Sequence, residues 1–555
     1  YLKDPYIAET IERDPLTEEV DVVLIGGGFG GLQAGARLRQ AGVKDIRIIE
    51  KGGDFGGTWY WNRYPGAQCD IEAYCYLPLL EELDYIPKEK YSYAREILAH
   101  SSNIGRHFDL YDSALFQTEV TGLEWDETDR RWIVSTNRGD ALRARFVSMA
   151  NGPLHRAKLP GLPGIGSFKG HSFHTSRWDY DYTGGGPDGN LDKLSDKVVG
   201  IIGTGATAIQ CVPFLGEGAK QLYVFQRTPS TVDVRGNSPT DPEWAKGLDE
   251  GWQKERMENF NALISGVPQE VDLVDDGWTD LIGKMMSNFQ KARQGENMNV
   301  AEVMEMANFE KMEEIRARVD SLVDDPDTAE KLKPYYKMFC KRPTFNDDYL
   351  PTFNRANVEL VDTDGQGVER ITEKGVVVAG VEYELDCLIY GTGFEVGTSY
   401  TRRSGYDVTG VDGAKLSDHW EEGTRSLHGM GSHGFPNLFI MNTSQGGFTA
   451  NFPHLLDESA VHQAHIIASA LDAGHTRVEV TKEAEDKWVE TILGFAGGPM
   501  GGLGGPDCTP GYYNNEGQPN PNAAQSAPYG GGSIRFFKLL EEWREDGSFD
   551  GLEFD

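Results

Sequence analysis

Long apolar runs are missing from this chain. No stretch approaches the ~18 apolar residues of a membrane span, so no transmembrane helix and no membrane partner is expected. Positive charge is scarce: 53 Lys and Arg stand against 87 Asp and Glu, a formal net charge of −34. Such a surface repels phosphate backbones, which argues against nucleic acid as a partner. It also obliges any anionic cofactor to find cations locally. Cysteine is sparse as well. Cys69, Cys75, Cys211, Cys340, Cys387 and Cys508 are scattered without a CxxC pair. Neither a metal site nor a dithiol motif is expected from them; reduced, buried thiols in a cytoplasmic protein are. A secretory signal is also lacking, since YLKDPYIAETIERDPLTEEV is polar and acidic. The chain opens on Tyr rather than Met, so targeting stays open.

Glycine, by contrast, is abundant, with 67 residues in a chain of 555. That length exceeds one core, and two or three domains are expected. Two glycine clusters carry chemistry. In VDVVLIGGGFGGLQAGARLRQAG, residues 20–25 form a short β-branched run, followed at once by Gly26-x-Gly28-x-x-Gly31 and a helical stretch over residues 33–40. Gly26 permits a tight turn, Gly28 admits a pyrophosphate to the backbone, and Gly31 lets helix and strand pack closely. The next strand, DIRIIE, ends on Glu50, an acid suited to ribose hydroxyls.

The second cluster, DKVVGIIGTGATAIQCVPFL, has a strand over residues 198–202, then Gly203-x-Gly205-x-x-Ala208 and a helix. Its next strand, QLYVFQRT, ends on Arg227 and Thr228. Gly26 to Glu50 and Gly203 to Arg227 are both offsets of 24. An acid therefore stands in one cradle where a guanidinium stands in the other. A carboxylate repels a 2′-phosphate, whereas Arg binds it with two hydrogen bonds. The first cradle is expected to hold FAD or NAD and the second NADPH, unless Arg227 is a plain surface charge.

The fold class that follows is α/β, with two Rossmann-like dinucleotide-binding domains and a helical insertion. The expected division is 1–152 for the first part of the FAD domain and 153–237 for the first part of the NADP domain. The insertion covers 238–333, rich in Met, Glu and Lys. The NADP domain resumes over 334–386, and the FAD domain over 387–555 with a C-terminal lid. The lid is the Gly-, Pro- and Asn-rich tail over residues 494–531.

Between the cradles lies SFKGHSFHTSRWD, with Phe168-x-Gly170-x-x-x-His174-x-x-x-Trp178-Asp179. Two histidines three apart, His171 and His174, make a poor metal site without converging ligands. This twelve-position pattern, set between two Rossmann motifs, resembles the fingerprint of the Type I Baeyer–Villiger monooxygenases. GGTWYWNRYPGAQCD, CKRPTFNDDYLPTFNRANV and the crossings Ala150-Asn151-Gly152 and Gly391-Thr392-Gly393 also resemble that family's motifs.

The resemblance implies an NADPH- and oxygen-dependent enzyme. It would insert an oxygen atom beside a ketone carbonyl, by way of a flavin peroxide, to give an ester or lactone. It implies Arg342 as the catalytic cation and Asp70 as its partner. It implies Glu50, Lys51, Thr58, Trp59, Asp70 and Tyr76 as FAD contacts beside Gly26, Gly28 and Gly31, with Val120 either at the adenine or in the core. For NADP it implies Gly203, Thr204, Gly205, Ala206, Thr207, Gln210, Arg227, Thr228 and Lys341. His174 would act by hydrogen bonding in a domain connector, not by proton transfer. Pro343, where the family carries an ordinary aliphatic residue, is a departure. N- or S-oxygenating flavin monooxygenases are the alternative, and Trp178, Asp179 and Arg342 argue against them. The tail resembles that of relatives acting on large cyclic or steroid-like ketones. The oligomeric expectation is a monomer or a small homo-oligomer.

Overall fold

The computed structural model describes residues 3–280, 282–283, 300–495, 508–518 and 522–555. Parts of the expected insertion and lid, residues 284–299, 496–507 and 519–521, lie outside the described residues.

The first glycine cluster sits where the sequence pattern puts it. β1 (Thr17–Ile25) runs through Gly26 to Gly28 into α1 (Phe29–Gln40), which leads back to β2 (Ile46–Ile49). The helix begins at Phe29 rather than Gln33, so Gly30 and Gly31 lie in its first turn. Alternate residues of β1 feed two faces. Val22 and Leu24 enter one core with Leu32 of α1, and Val23 and Ile25 enter another with Val134 and Val147. A strand buried on both faces needs the unbroken apolar run that residues 22–25 supply.

The sheet continues with β3 (Ala114–Leu115), β4 (Val120–Asp126), β5 (Arg131–Thr136) and β6 (Ala141–Met149). Its order is β3-β2-β1-β6-β5-β4, with Val408–Thr409 added at the β4 edge and Leu438–Ile440 beside the second half of β6.

The second sheet is parallel throughout. β7 (His171–His174), β8 (Val198–Ile202), β9 (Gln221–Gln226), β10 (Val358–Asp362) and β11 (Cys387–Tyr390) lie in the order β10-β9-β8-β11-β7. Helix α2 (Ala206–Gly218) packs Ile209, Val212 and Leu215 against Val199, Ile201 and Val224 of this sheet.

Two features of the expected division change. β11 is an interior strand of the second sheet, so the chain leaves that sheet after Tyr390 and not after residue 386. The helical insertion is also shared between two cores. Phe260 of α3 (Trp252–Ile264) enters the core beneath α1. Val319 of α4 (Val300–Leu322) and Ala329 and Leu332 of α5 (Pro326–Leu332) enter the core of the second sheet. The helices of this stretch therefore bury residues in two different cores, so the stretch is not one separate unit.

The cysteine expectation is corrected in part. Cys69, Cys75, Cys211 and Cys387 are free and buried, but Cys340 and Cys508 form a disulfide with Cα atoms 5.0 Å apart. The tail returns over the segment that precedes Lys341, and that approach is within bridging range. Among the described residues no helix is long and apolar enough to cross a membrane.

Candidate functional site

Both cradles are built the same way. Gly26 donates to the Ile49 carbonyl at 2.9 Å, and Gly203 to the Phe225 carbonyl at 3.1 Å. Both take positive φ, +114° and +120°. A Cβ on Gly26 would lie 2.5 Å from the Ala150 oxygen, and one on Gly203 2.3 Å from the Gly391 oxygen. So the crossings at Ala150 and Gly391 are the elements against which each turn is pressed. In α1 a Cβ on Gly31 would sit 1.8 Å from the Gly26 oxygen, and only glycine fits there. Ala208, its counterpart in α2, is fully buried.

The carboxyl ends of both sheets face one cavity of about 1580 Å³. That exceeds the ~300–1,000 Å³ usual for a single small ligand, and it lies where open α/β sheets bind ligands. Of the expected cofactor residues, all except Gly31 line it, from Gly26, Gly28, Glu50, Lys51, Thr58, Trp59, Asp70, Tyr76 and Val120 to Gly203 through Thr207, Gln210, Arg227, Thr228 and Lys341.

The Glu50 carboxylate accepts from Gly27 N at 2.7 Å and Gly52 N at 2.6 Å, and its burial pushes its pKa up. Each oxygen keeps a lone pair for a hydroxyl donor. Lys51 approaches His155 Nδ1 at 2.7 Å. Trp59 Nε1 donates to the Tyr76 hydroxyl at 3.1 Å. Gln210 ties the two cradles together: its amide donates to the Gln68 carbonyl at 2.8 Å, and its oxygen accepts from Tyr64 at 2.9 Å. In the second cradle the Thr204 hydroxyl donates to the Thr228 carbonyl at 2.9 Å, and Lys341 donates to the Thr228 hydroxyl. Burial, with Arg227 adding repulsion, pushes the Lys341 ammonium down to about 8. A bound phosphate is what such a site fits.

Between the cradles stands an ion pair. Arg342 donates from Nη1 to Asp70 Oδ2 at 2.5 Å and from Nη2 to Oδ1 at 2.7 Å. Burial alone raises the Asp70 carboxyl, but Arg342, with Arg235 behind it, holds it below the usual carboxylate range. Trp278 completes the group. Its Nε1 donates to the Asp70 backbone oxygen at 3.1 Å, and its ring lies 5.5 Å from the Arg342 guanidinium carbon. Nothing in the sequence singles out Trp278: it falls in the stretch that reads as a helical insertion, where neither period nor motif marks it. Arg342 also donates to the carbonyl of Pro343 at 3.1 Å, so the proline departure falls in the loop that carries the cation.

The fingerprint lies elsewhere. Among the described residues lining the cavity, Phe168, Gly170, His174, Trp178 and Asp179 do not appear. His174 is fully buried at the end of β7, opposite Tyr390 of β11 and hence beside the Gly391 crossing. Its Nδ1 accepts from Ser176 N at 3.1 Å, which leaves the proton on Nε2. Burial pushes its pKa down to about 4, so it is neutral at ordinary pH. Trp178, 1% exposed, donates from Nε1 to the Thr183 hydroxyl at 3.1 Å. Asp179 accepts from Tyr182 N at 3.1 Å and meets His171 at 2.9 Å. The neighbouring Arg177, which no sequence motif marks, lies over the Trp61 ring of the first cradle's side at 3.8 Å. The loop therefore joins the second sheet's edge to the first domain. Among the described residues no three His, Cys, Asp or Glu side chains come together as metal ligands would.

The family model for an NAD(P)-binding Rossmann-like domain matches residues 24–84. Pentalenolactone D synthase of Streptomyces exfoliatus is 55% identical over 558 aligned positions, covering 100% of this chain and 95% of that protein. A Baeyer–Villiger monooxygenase of Streptomyces coelicolor is 51% identical, covering 100% of this chain and 91% of the other. Among solved structures, the polycyclic ketone monooxygenase of Thermothelomyces thermophila is 42% identical with a TM-score of 0.91, covering 100% of this chain and 93% of that one. OTEMO in complex with FAD and NADP is 28% identical with a TM-score of 0.78, covering 98% and 100%.

Proposed function

This chain belongs to the Baeyer–Villiger monooxygenases, and we propose that its Arg342–Asp70 pair is the charged centre on which that chemistry turns. It is an NADPH- and oxygen-dependent FAD enzyme that inserts one oxygen atom beside a ketone carbonyl, giving an ester or lactone. The relatives named above lend no support to an N- or S-oxygenating activity. FAD, when bound, would supply the redox chemistry that activates molecular oxygen at the expense of NADPH.

The chain's own residues then have separable tasks. Gly26, Gly28 and the start of α1 would take the FAD pyrophosphate, and Glu50 its ribose hydroxyls. Gly203, Gly205 and the start of α2 would take that of NADP, with Arg227, Thr228 and Lys341 at the 2′-phosphate. Arg342 keeps its charge at any working pH and stabilises negative charge as it develops on oxygen. Asp70 holds the guanidinium by two hydrogen bonds, which fixes its plane as well as its position. Trp278 restrains both partners, Asp70 through its indole N–H and Arg342 through its ring. His174 moves no proton in this reading, since its neutral ring is buried away from the cavity. It aligns β7 with β11 and so the two domains with each other.

The substrate is a bulky cyclic ketone, a reading supported by the polycyclic ketone monooxygenase as a structural neighbour. A cytoplasmic setting, where NADPH is supplied, belongs to the same proposal. A reducing compartment would tend to open the Cys340–Cys508 bond.

The observation that carries this reading is the meeting of two nucleotide cradles and one Arg–Asp pair on the walls of a single cavity. The test is NADPH consumption by the purified FAD enzyme with small-ring, macrocyclic, steroid and aryl ketones, with product mass measured. Ester or lactone one oxygen heavier is expected, strongest with the bulky ketones. Oxidation of a thioether with every ketone left untouched would overturn the reading.

A further inference from the structure

The cations assigned to the 2′-phosphate already have an anion beside them. Arg227 Nη2 donates to Glu516 Oε2 at 3.1 Å and to the Pro510 carbonyl at 3.1 Å. Lys158 Nζ holds the other carboxylate oxygen, Oε1, at 2.7 Å. Lys341, joined to Thr228, stands near enough for its charge to be felt by both Arg227 and Glu516. Glu516 thus pairs directly with two cations, Lys158 and Arg227, and these three side chains line the cavity together with Lys341.

This carboxylate comes from far away, 289 residues beyond Arg227 in the chain. Its segment is anchored locally. Cys508 is bonded to Cys340, the residue immediately before Lys341. The Asn514 side-chain oxygen accepts from Gly511 N at 2.9 Å and Gly517 N at 3.0 Å, closing the loop on itself. Glu516 itself takes a φ of +57°, a region that residues with a Cβ rarely adopt. The loop is built so that this side chain reaches the cations. Burial raises the Glu516 carboxyl, but Lys158 and then Arg227 more than offset that, so it is ionised.

We propose that Glu516 is the internal counter-ion of the 2′-phosphate site, which the phosphate of NADPH displaces, and that it thereby sets cofactor affinity and the preference over NADH. Carboxylate and phosphate both bind an Arg fork through paired oxygens, so they compete for the same donors. Without an anion, Lys158, Arg227 and Lys341 would repel one another. A phosphate, with up to two charges, is the stronger partner and wins when present. NADH brings only a hydroxyl there, which Glu516 can accept without leaving. The resident carboxylate therefore costs NADPH some affinity that NADH does not lose. This inference rests on the assignment of Arg227, Thr228 and Lys341 to the 2′-phosphate.

The experiment is calorimetric titration of the FAD-loaded enzyme with NADP+ and with NAD+, without ketone and without turnover. Glu516→Gln keeps the side chain's size and removes its charge, and retained FAD and melting temperature report that the variant is folded. NADP+ should bind roughly fivefold tighter, the scale of one partly exposed ion pair, with NAD+ altered by less than about twofold. Adenosine 2′,5′-bisphosphate, which lacks the nicotinamide half, should show the same gain. In an Arg227→Ala background the gain should shrink, because the contested donor is gone. Unchanged or weaker NADP+ binding by Glu516→Gln, or an equal shift for both nucleotides, overturns the proposal and makes Glu516 a latch of the tail instead. The underlying assignment fails separately if Arg227→Ala alone leaves NADP+ binding intact.

Discussion

Arg342 and Asp70 are 272 residues apart in the chain and meet in a two-bond ion pair, at 2.5 and 2.7 Å. The Asp70 side chain is almost fully buried, while the Arg342 side chain keeps about a third of its surface open, 8% against 32%. The pair therefore has a fixed end and a working end. Asp70 is locked by Arg342, by the field of Arg235 and, through its backbone, by Trp278. Arg342 presents charge to the cavity.

Removing the working end should separate reduction from oxygenation. Arg342→Ala is expected to bind both nucleotides and to be reduced by NADPH, yet to lose at least about 100-fold in ester formation, the usual loss for a removed charge-stabilising donor. Rapid-mixing absorbance of the flavin reads the first, and product mass the second. Ester formation at the parental rate would mean that Arg342 does not stabilise the developing charge.

Trp278 should behave as a positioning residue. Trp278→Phe keeps a ring beside Arg342 but loses the donor to the Asp70 carbonyl, and Trp278→Ala loses both. With each contact worth about 0.5–2 kcal/mol, kcat should fall several-fold in the first and further in the second. The KM for NADPH should stay nearly constant. A change in that KM with kcat preserved would place Trp278 in cofactor binding instead.

The proposed 2′-phosphate contact of Arg227 is tested by nucleotide preference. A hydrogen-bonded charge pair to phosphate is worth about 2 kcal/mol, so Arg227→Ala should weaken NADP+ roughly 30-fold. NAD+ should change little. Titration of both nucleotides into the FAD enzyme checks the ratio.

His174 should leave a mark on acid stability. Its native pKa is lowered from 6.5 to about 4, so the unfolded chain takes up the proton first. The stabilising contribution is complete above pH 6.5, declines as pH falls towards 4, and is then fully lost. The amount is on the order of 3 kcal/mol. His174→Gln should flatten that part of the melting-temperature profile relative to the parent. Parallel profiles would show that the buried ring titrates as it does in the open chain.

The cysteine pairing is checked by counting. Unfolded without reductant, the protein should show four reactive thiols, and six after reduction, since Cys340 and Cys508 are joined. Six in both states would return all the cysteines to the reduced form expected from their spacing.

How much of this was legible in the sequence depends on the distance over which a residue is constrained. Gly26, Gly28 and Gly31 could be read because their requirement is local. The Gly31 Cβ would strike an oxygen five residues back, and no distant event relieves it. β1, β8 and the strands that follow each cradle could be read from apolar runs, because a strand buried on both faces leaves no other composition. Glu50 and Arg227 were placed by counting along a motif whose backbone path is rigid. The sequence by itself thus determined two cradles, with a carboxylate at one and a guanidinium at the other.

The tertiary structure alone decided the rest. It put the His174 loop outside the cavity, as the joint between β7 and the first domain. It split the helical stretch between two cores, moved the domain exit to Tyr390, and brought Trp278, Lys158, Glu516 and the Cys340–Cys508 bond to the site. These residues come from loops and from the tail, where no period or spacing records a partner hundreds of positions away. Their meeting follows from how two sheets and their helices pack, and packing is a property of whole surfaces, which no short stretch of sequence contains.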